Sequence, residues 1–74
     1  MRLNEQYTSK ELISFIGERM KMVCVDGEII IGEMYSYINE HDSDDGYVHV
    51  YIYSPKIDGV VDVGEDEISQ FSPA

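Results

Sequence analysis

The stretch VDGEIIIGEMYSYI, Val25 to Ile38, decides the fold. Asp26-Gly27 between two apolar runs is a hairpin signal. The run before it, MKMVCVD, reads as a first strand, and the run after it, Glu28 to Ile38, as a second. The second strand exceeds the usual length of about five or six residues. A glycine inside a strand weakens it unless the chain must bend there. Gly32 is therefore read as a corner, at which one long strand turns to serve both halves of a small closed sheet.

Outward from this stretch the pattern changes twice. On the N-terminal side, residues 1–7 read as polar and loosely held. Thr8 followed three residues later by Glu11 reads as a capping box. Leu12, Phe15 and Ile16 fall on one helical face, and Gly17 closes the helix, which predicts a short helix over 8–17. On the C-terminal side, NEHDSDDG is an acidic loop. YVHVYIY then alternates, with Val48, Val50 and Ile52 on one face and Tyr47, His49, Tyr51 and Tyr53 on the other. SPKIDG is a turn, VVDV a fourth strand, GED a tight connection and EISQF a short fifth strand. Five strands have two edges to protect, and closing a barrel removes them.

The chain has 74 residues, so it is read as one domain, 1–74, with a core that is marginal alone. The single cysteine, Cys24, cannot pair within the chain. Self-association is the expected remedy. At 43% hydrophobic the chain is too apolar for disorder, yet no run approaches the roughly 18 apolar residues of a membrane span. No secretory leader pattern stands at the start, and a cytoplasmic location is expected. Fifteen acids against five bases give a net charge of −10, which repels a phosphate backbone and an anionic membrane surface.

Two segments resemble the motifs of the Sm-like (Lsm) family. In MVCVDGEIIIGEMYSY the turn glycine, the central glycine, a hydrophobic and an aromatic residue fall at Gly27, Gly32, Met34 and Tyr37. In VVDVGEDEISQF the second motif falls at Val61, Val63, Gly64, Ile68 and Phe71. The resemblance covers about residues 9–71. It implies a mainly β fold: a short N-terminal α-helix and then a five-stranded, strongly bent antiparallel Sm-like (SH3-like) barrel over 20–71. Gly27, Gly32 and Gly64 are its turn and bend positions. The resemblance also implies a homo-oligomeric ring in which the fourth strand of one copy pairs with the fifth of the next. It does not carry over RNA binding. The places of the family's RNA-contacting aspartate, asparagine and basic residue fall at Ile38, near Asp42 and at Val63, and the basic residue is missing.

No catalytic constellation stands out, and the chain reads as a non-enzyme without a cofactor. The acids after residue 40 do not meet EF-hand spacing. His41 and His49 lack the further ligands that zinc needs, and no metal is expected. Cys24 lies mid-strand, where a thiol is inert by default. The stripe Tyr47, His49, Tyr51 and Tyr53 fits either a covered sheet face or a protein interface; base stacking would call for a basic groove beside it.

The acids carry the functional reading. Glu40, Asp42, Asp44 and Asp45 form one set, and Asp62, Glu65, Asp66 and Glu67 another. In an Sm-like topology both lie at one end and add into a negative lobe. The expected function is a binding and assembly module that meets a basic protein partner there. An alternative is an acidic inhibitor of phage or mobile-element type that imitates nucleic acid. An RNA-binding Sm-like ring fits the charge worst.

Overall fold

A computed structural model describes all 74 residues. Two short helices, α1 (Leu3–Gln6) and α2 (Ser9–Ser14), precede β1 (Arg19–Cys24), β2 (Ile29–Ile38), β3 (His49–Ser54) and β4 (Gly59–Gly64). A 3-10 turn, Glu65–Glu67, leads into β5 (Ile68–Pro73). The strands form one antiparallel sheet in the order β4-β3-β2-β1-β5.

The long strand β2 is shared between two partners. Its first half pairs with β1, from Val23 opposite Ile29 to Arg19 opposite Glu33. Its second half pairs with β3, from Met34 opposite Ile52 to Ile38 opposite His49, with a register shift between Met34 and Ser36. Partners change between Glu33 and Met34, one residue past Gly32. A Cβ on Gly32 would overlap the carbonyl oxygen of Tyr53, so the absence of a side chain lets the end of β3 cross close over β2. The β1–β2 hairpin is tied by Cys24 N–H to the Glu28 carbonyl at 2.8 Å and Gly27 N–H to the Cys24 carbonyl at 2.9 Å. Gly27 takes a left-handed φ of 91° while Asp26 does not, which makes the loop the three-residue Val25-Asp26-Gly27 kind. The Asp26 carboxylate accepts from Glu28 N–H and fixes it.

The sheet is not closed. No ladder joins β4 to β5, so the barrel closure expected from the five strands is absent as a hydrogen-bonded feature. The two edges are treated differently. Ala74 N–H donates to the Arg19 carbonyl, and strand alternation then turns Phe71 and Pro73 away from β1. Pro73 offers no N–H on that free edge, and the Phe71 carbonyl accepts from the Tyr7 hydroxyl at 2.6 Å. The Ile68 carbonyl accepts from the Met1 amine. On the other edge, Glu65 N–H donates to the Val48 carbonyl, so alternation directs Glu65, Val63 and Val61 toward β3 and leaves Val60 and Asp62 facing outward.

The core joins Met20 and Met22 of β1, Met34 of β2, Val50 and Ile52 of β3, Val63 of β4 and Ile68 and Phe71 of β5. Val48, Leu3 and Leu12 complete it. Leu12 enters from α2, whose capping box at Thr8 and Glu11 is formed as expected. The helix stops at Ser14, short of the expected 17, so Ile16 leaves the helical face and stands 41% exposed. The first seven residues are not loose. Leu3 is fully buried, and the Tyr7 ring meets Phe15 and Phe71 edge to face at 5.0 and 6.4 Å. No helix is long and apolar enough to cross a membrane.

Candidate functional site

The pairing of β3 with β4 brings the two acidic sets into partial contact. His49 lies opposite Gly64, and Asp62 lies opposite Tyr51. With no side chain at Gly64, the His49 ring leans diagonally across the strand pair to Asp62. A Cβ at Gly64 would stand 2.6 Å from an Asp66 carboxylate oxygen and 3.4 Å from the imidazole. Gly64, expected as a turn position, stands where β4 meets the 3-10 turn at an ordinary φ of −74°, and its missing side chain leaves room for these two side chains.

The imidazole is held between two carboxylates, with Nδ1 2.6 Å from Asp62 Oδ1 and Nε2 2.8 Å from Asp45 Oδ2. A neutral ring has one N–H, whereas the imidazolium has two, so two acceptors favour the charged form. The Asp62 hydrogen bond, then the Asp45 hydrogen bond, raise the His49 pKa above the ordinary 6.5, against a smaller desolvation effect. Asp45 is held below its ordinary value first by the Tyr47 N–H and then by His49. The Tyr47 N–H donates to Asp45 Oδ1 at 3.0 Å, and Asn39 Oδ1 accepts from His41 and Asp42 N–H. These side-chain turns shape the loop between β2 and β3.

Around this clamp lies an open depression lined by Asp42, Asp44, Asp45 and Asp62, with Ile38 and Tyr51 as its apolar wall. His49 is its only basic group, and both ring nitrogens are engaged. No three of the chain's His, Cys, Asp or Glu side chains converge as metal ligands.

The remaining acids go elsewhere. Glu40 accepts from the Asn4 side-chain amide at 3.1 Å. Asp66 stands beside Gly64. Glu67 lies on the far side, in a groove with Asp26 and Glu28. Glu65 corrects the expectation of an exposed binding acid, because it is 1% exposed. Its carboxylate accepts from Leu3 N–H at 2.7 Å and Val48 N–H at 2.6 Å. It thereby satisfies one backbone donor of the N-terminal segment and one at the entry to β3. Arg2, 3.4 Å from Glu65, lays its guanidinium 4.6 Å from the centre of the Tyr47 ring.

The tyrosine stripe faces outward from β3 and is half-buried. Tyr51 belongs to the acidic depression, Tyr47 to the Arg2 contact, and Tyr53 donates its hydroxyl to Asp58. The Asp58 carboxylate raises the Tyr53 pKa. His41 is exposed beside Glu40. Cys24 is half-buried, and desolvation followed by Asp26, Glu28 and Glu67 raises its pKa, keeping the thiol protonated.

The composition held no hint that Glu65 differs from its neighbours, and the anchoring role of Leu3 had only its lone aliphatic side chain among polar residues as a signal. Comparison with protein-family models, with curated proteins and with solved structures gives no match to this chain.

Proposed function

We propose that this chain is a non-enzymatic binding module, an Sm-like small barrel in kinship, that meets a basic protein partner through the acidic depression. The observation that carries this reading is the convergence of Asp42, Asp44, Asp45 and Asp62 around a histidine whose two nitrogens are already taken. A cationic group arriving there meets free carboxylate oxygens and no competing base. The field of a chain with net charge −10 steers such a partner toward the depression. The shared strand β2 and the N-terminal helices support the kinship.

The unequal edges favour a single-partner module over the ring that the resemblance implies. Head-to-tail pairing of β4 with β5 would meet a β5 edge already engaged at Phe71 and lacking an N–H at Pro73.

The test uses a fluorescent oligolysine peptide and two triple variants of equal net charge. One removes local charge through Asp42→Asn, Asp44→Asn and Asp62→Asn. The other removes the same charge from the exposed Glu5, Glu18 and Glu33 by Gln. The depression variant should weaken binding about tenfold more than the distributed variant, or about 1.4 kcal/mol. Equal loss in both would reduce the depression to a share of the overall field and refute the reading.

A further inference from the structure

The β4 edge is the one strand edge that the chain leaves open. β5 has Pro73 and the Tyr7 hydroxyl on its free side, whereas Val60 and Asp62 of β4 direct N–H and C=O groups outward. Beside that edge runs a groove at the seam where the sheet fails to close. Val61, Ile30, Cys24 and Val25 line it, and Asp26, Glu28 and Glu67 add acid along it. Val25 is 66% exposed and Val61 is half-buried, so apolar surface there is within reach. No lysine or arginine contributes to the groove.

We propose that the β4 edge and this groove take an extended peptide segment of a partner protein that carries apolar and basic residues together on one face. An added strand would pair its backbone with Val60 and Asp62. Its alternate side chains would then fall on opposite faces, as in any strand. Those on the inner face would enter the groove, apolar ones against Val61 and Val25 and a basic one against Glu28 and Glu67. The charge pattern selects this occupant over a second copy of the chain. A β4-to-β4 pair would bring Asp58 and Asp62 of both copies to one edge, with a net charge of −10 on each. The groove is separate from the depression around His49, and the two surfaces share only Asp62, so variants that spare Asp62 test each site alone.

The probe is a labelled hexapeptide, Val-Thr-Lys-Thr-Val-Thr, with valine and lysine on one face, and binding is read by fluorescence anisotropy and by amide NMR. The Val60 and Asp62 amide signals should shift and gain protection from exchange. Three changes should each weaken binding about tenfold: Val25→Ser, Glu28→Gln combined with Glu67→Gln, and N-methylation of the peptide along one edge. Val25, Glu28 and Glu67 are exposed, so these variants should fold, which circular dichroism checks. The double variant Asp42→Asn with Asp44→Asn, which spares Asp62, should keep the affinity within about twofold, allowing for long-range screening. Three outcomes would each overturn the proposal. They are equal binding of the N-methylated peptide, shifts confined to the depression, and concentration-dependent protection of Val60 and Asp62 without peptide, which marks a second copy as the occupant.

Discussion

Replacing Gly32 by alanine adds one methyl group, and the fold has no room for it. The new Cβ would overlap the Tyr53 carbonyl oxygen and stand 3.0 Å from the carbonyl carbon. Overpacking costs about 1–3 kcal/mol when side chains can move aside. Here the obstacle is backbone, held in the β3–β4 ladder by the pairing of Tyr53 with Val60, so the cost falls at the upper end, about 3 kcal/mol. Alanine returns about 0.5–1 kcal/mol of the entropy that glycine loses on folding. The net loss is therefore about 2 kcal/mol, a large part of the roughly 4–11 kcal/mol usual for a domain this size. At about 4–8 °C per kcal/mol, the melting temperature should fall by about 8–16 °C. Gly59→Ala is the matched control, because its Cβ would meet only the Ile57 carbonyl, at an ordinary 3.8 Å. It should leave stability unchanged or raise it by up to about 1 kcal/mol. Urea unfolding followed by tyrosine fluorescence and circular dichroism measures both. Equal midpoints for the two variants would refute the close crossing of β3 over β2.

Glu65→Ala strands two backbone donors, Leu3 and Val48 N–H, at about 1–3 kcal/mol each. It should cost about 3 kcal/mol in urea unfolding, whereas Glu67→Ala at an exposed position should stay within about 0.5 kcal/mol. Tyr7→Phe keeps the edge-to-face ring packing and removes the bond to the Phe71 carbonyl. It should cost about 1 kcal/mol and speed amide exchange in β5, both readable on one sample by unfolding and hydrogen exchange. The His49 clamp gives a pH signature. Its folded pKa is raised, so its contribution to stability is complete below 6.5 and is lost as pH rises through the folded value. Asp45 is lowered, so its contribution is present above 3.8 and is lost as pH falls through the folded value. The stability gap between the protein and its His49→Gln variant should be widest between these limits and narrow above 6.5; a gap that widens with rising pH would contradict the clamp.

Local features were legible in the sequence. The Thr8–Glu11 capping box, the Asp26-Gly27 hairpin and the alternation from Val48 to Ile52 each rest on a few adjacent residues, and all are present. Gly32 was legible as a special position in β2, although the requirement there is the crossing of Tyr53 as well as a change of partner. Long-range features were not legible. Glu65 reads like its acidic neighbours until Leu3, 62 positions away, brings a backbone N–H to it. Residues 1–7 read as loose because the Leu3 and Tyr7 contacts lie in β5 and the 3-10 turn. The expected barrel closure rested on the need to hide two edges, and the chain meets that need at β5 with Tyr7 and Pro73 instead. Proline ends a strand pattern in sequence, yet Pro73 continues β5 because its missing N–H faces away from β1.

The meeting of the acidic loop with β4 at His49 is the contact on which the acidic depression depends. Nitrogen-15 NMR of the His49 ring through a pH titration reads it directly. The account predicts a pKa above 6.5, both nitrogens protonated below that value, and a fall toward 6.5 in Asp62→Asn. A pKa at or below 6.5 that ignores the Asp62 substitution would separate the loop from the strand and contradict the account.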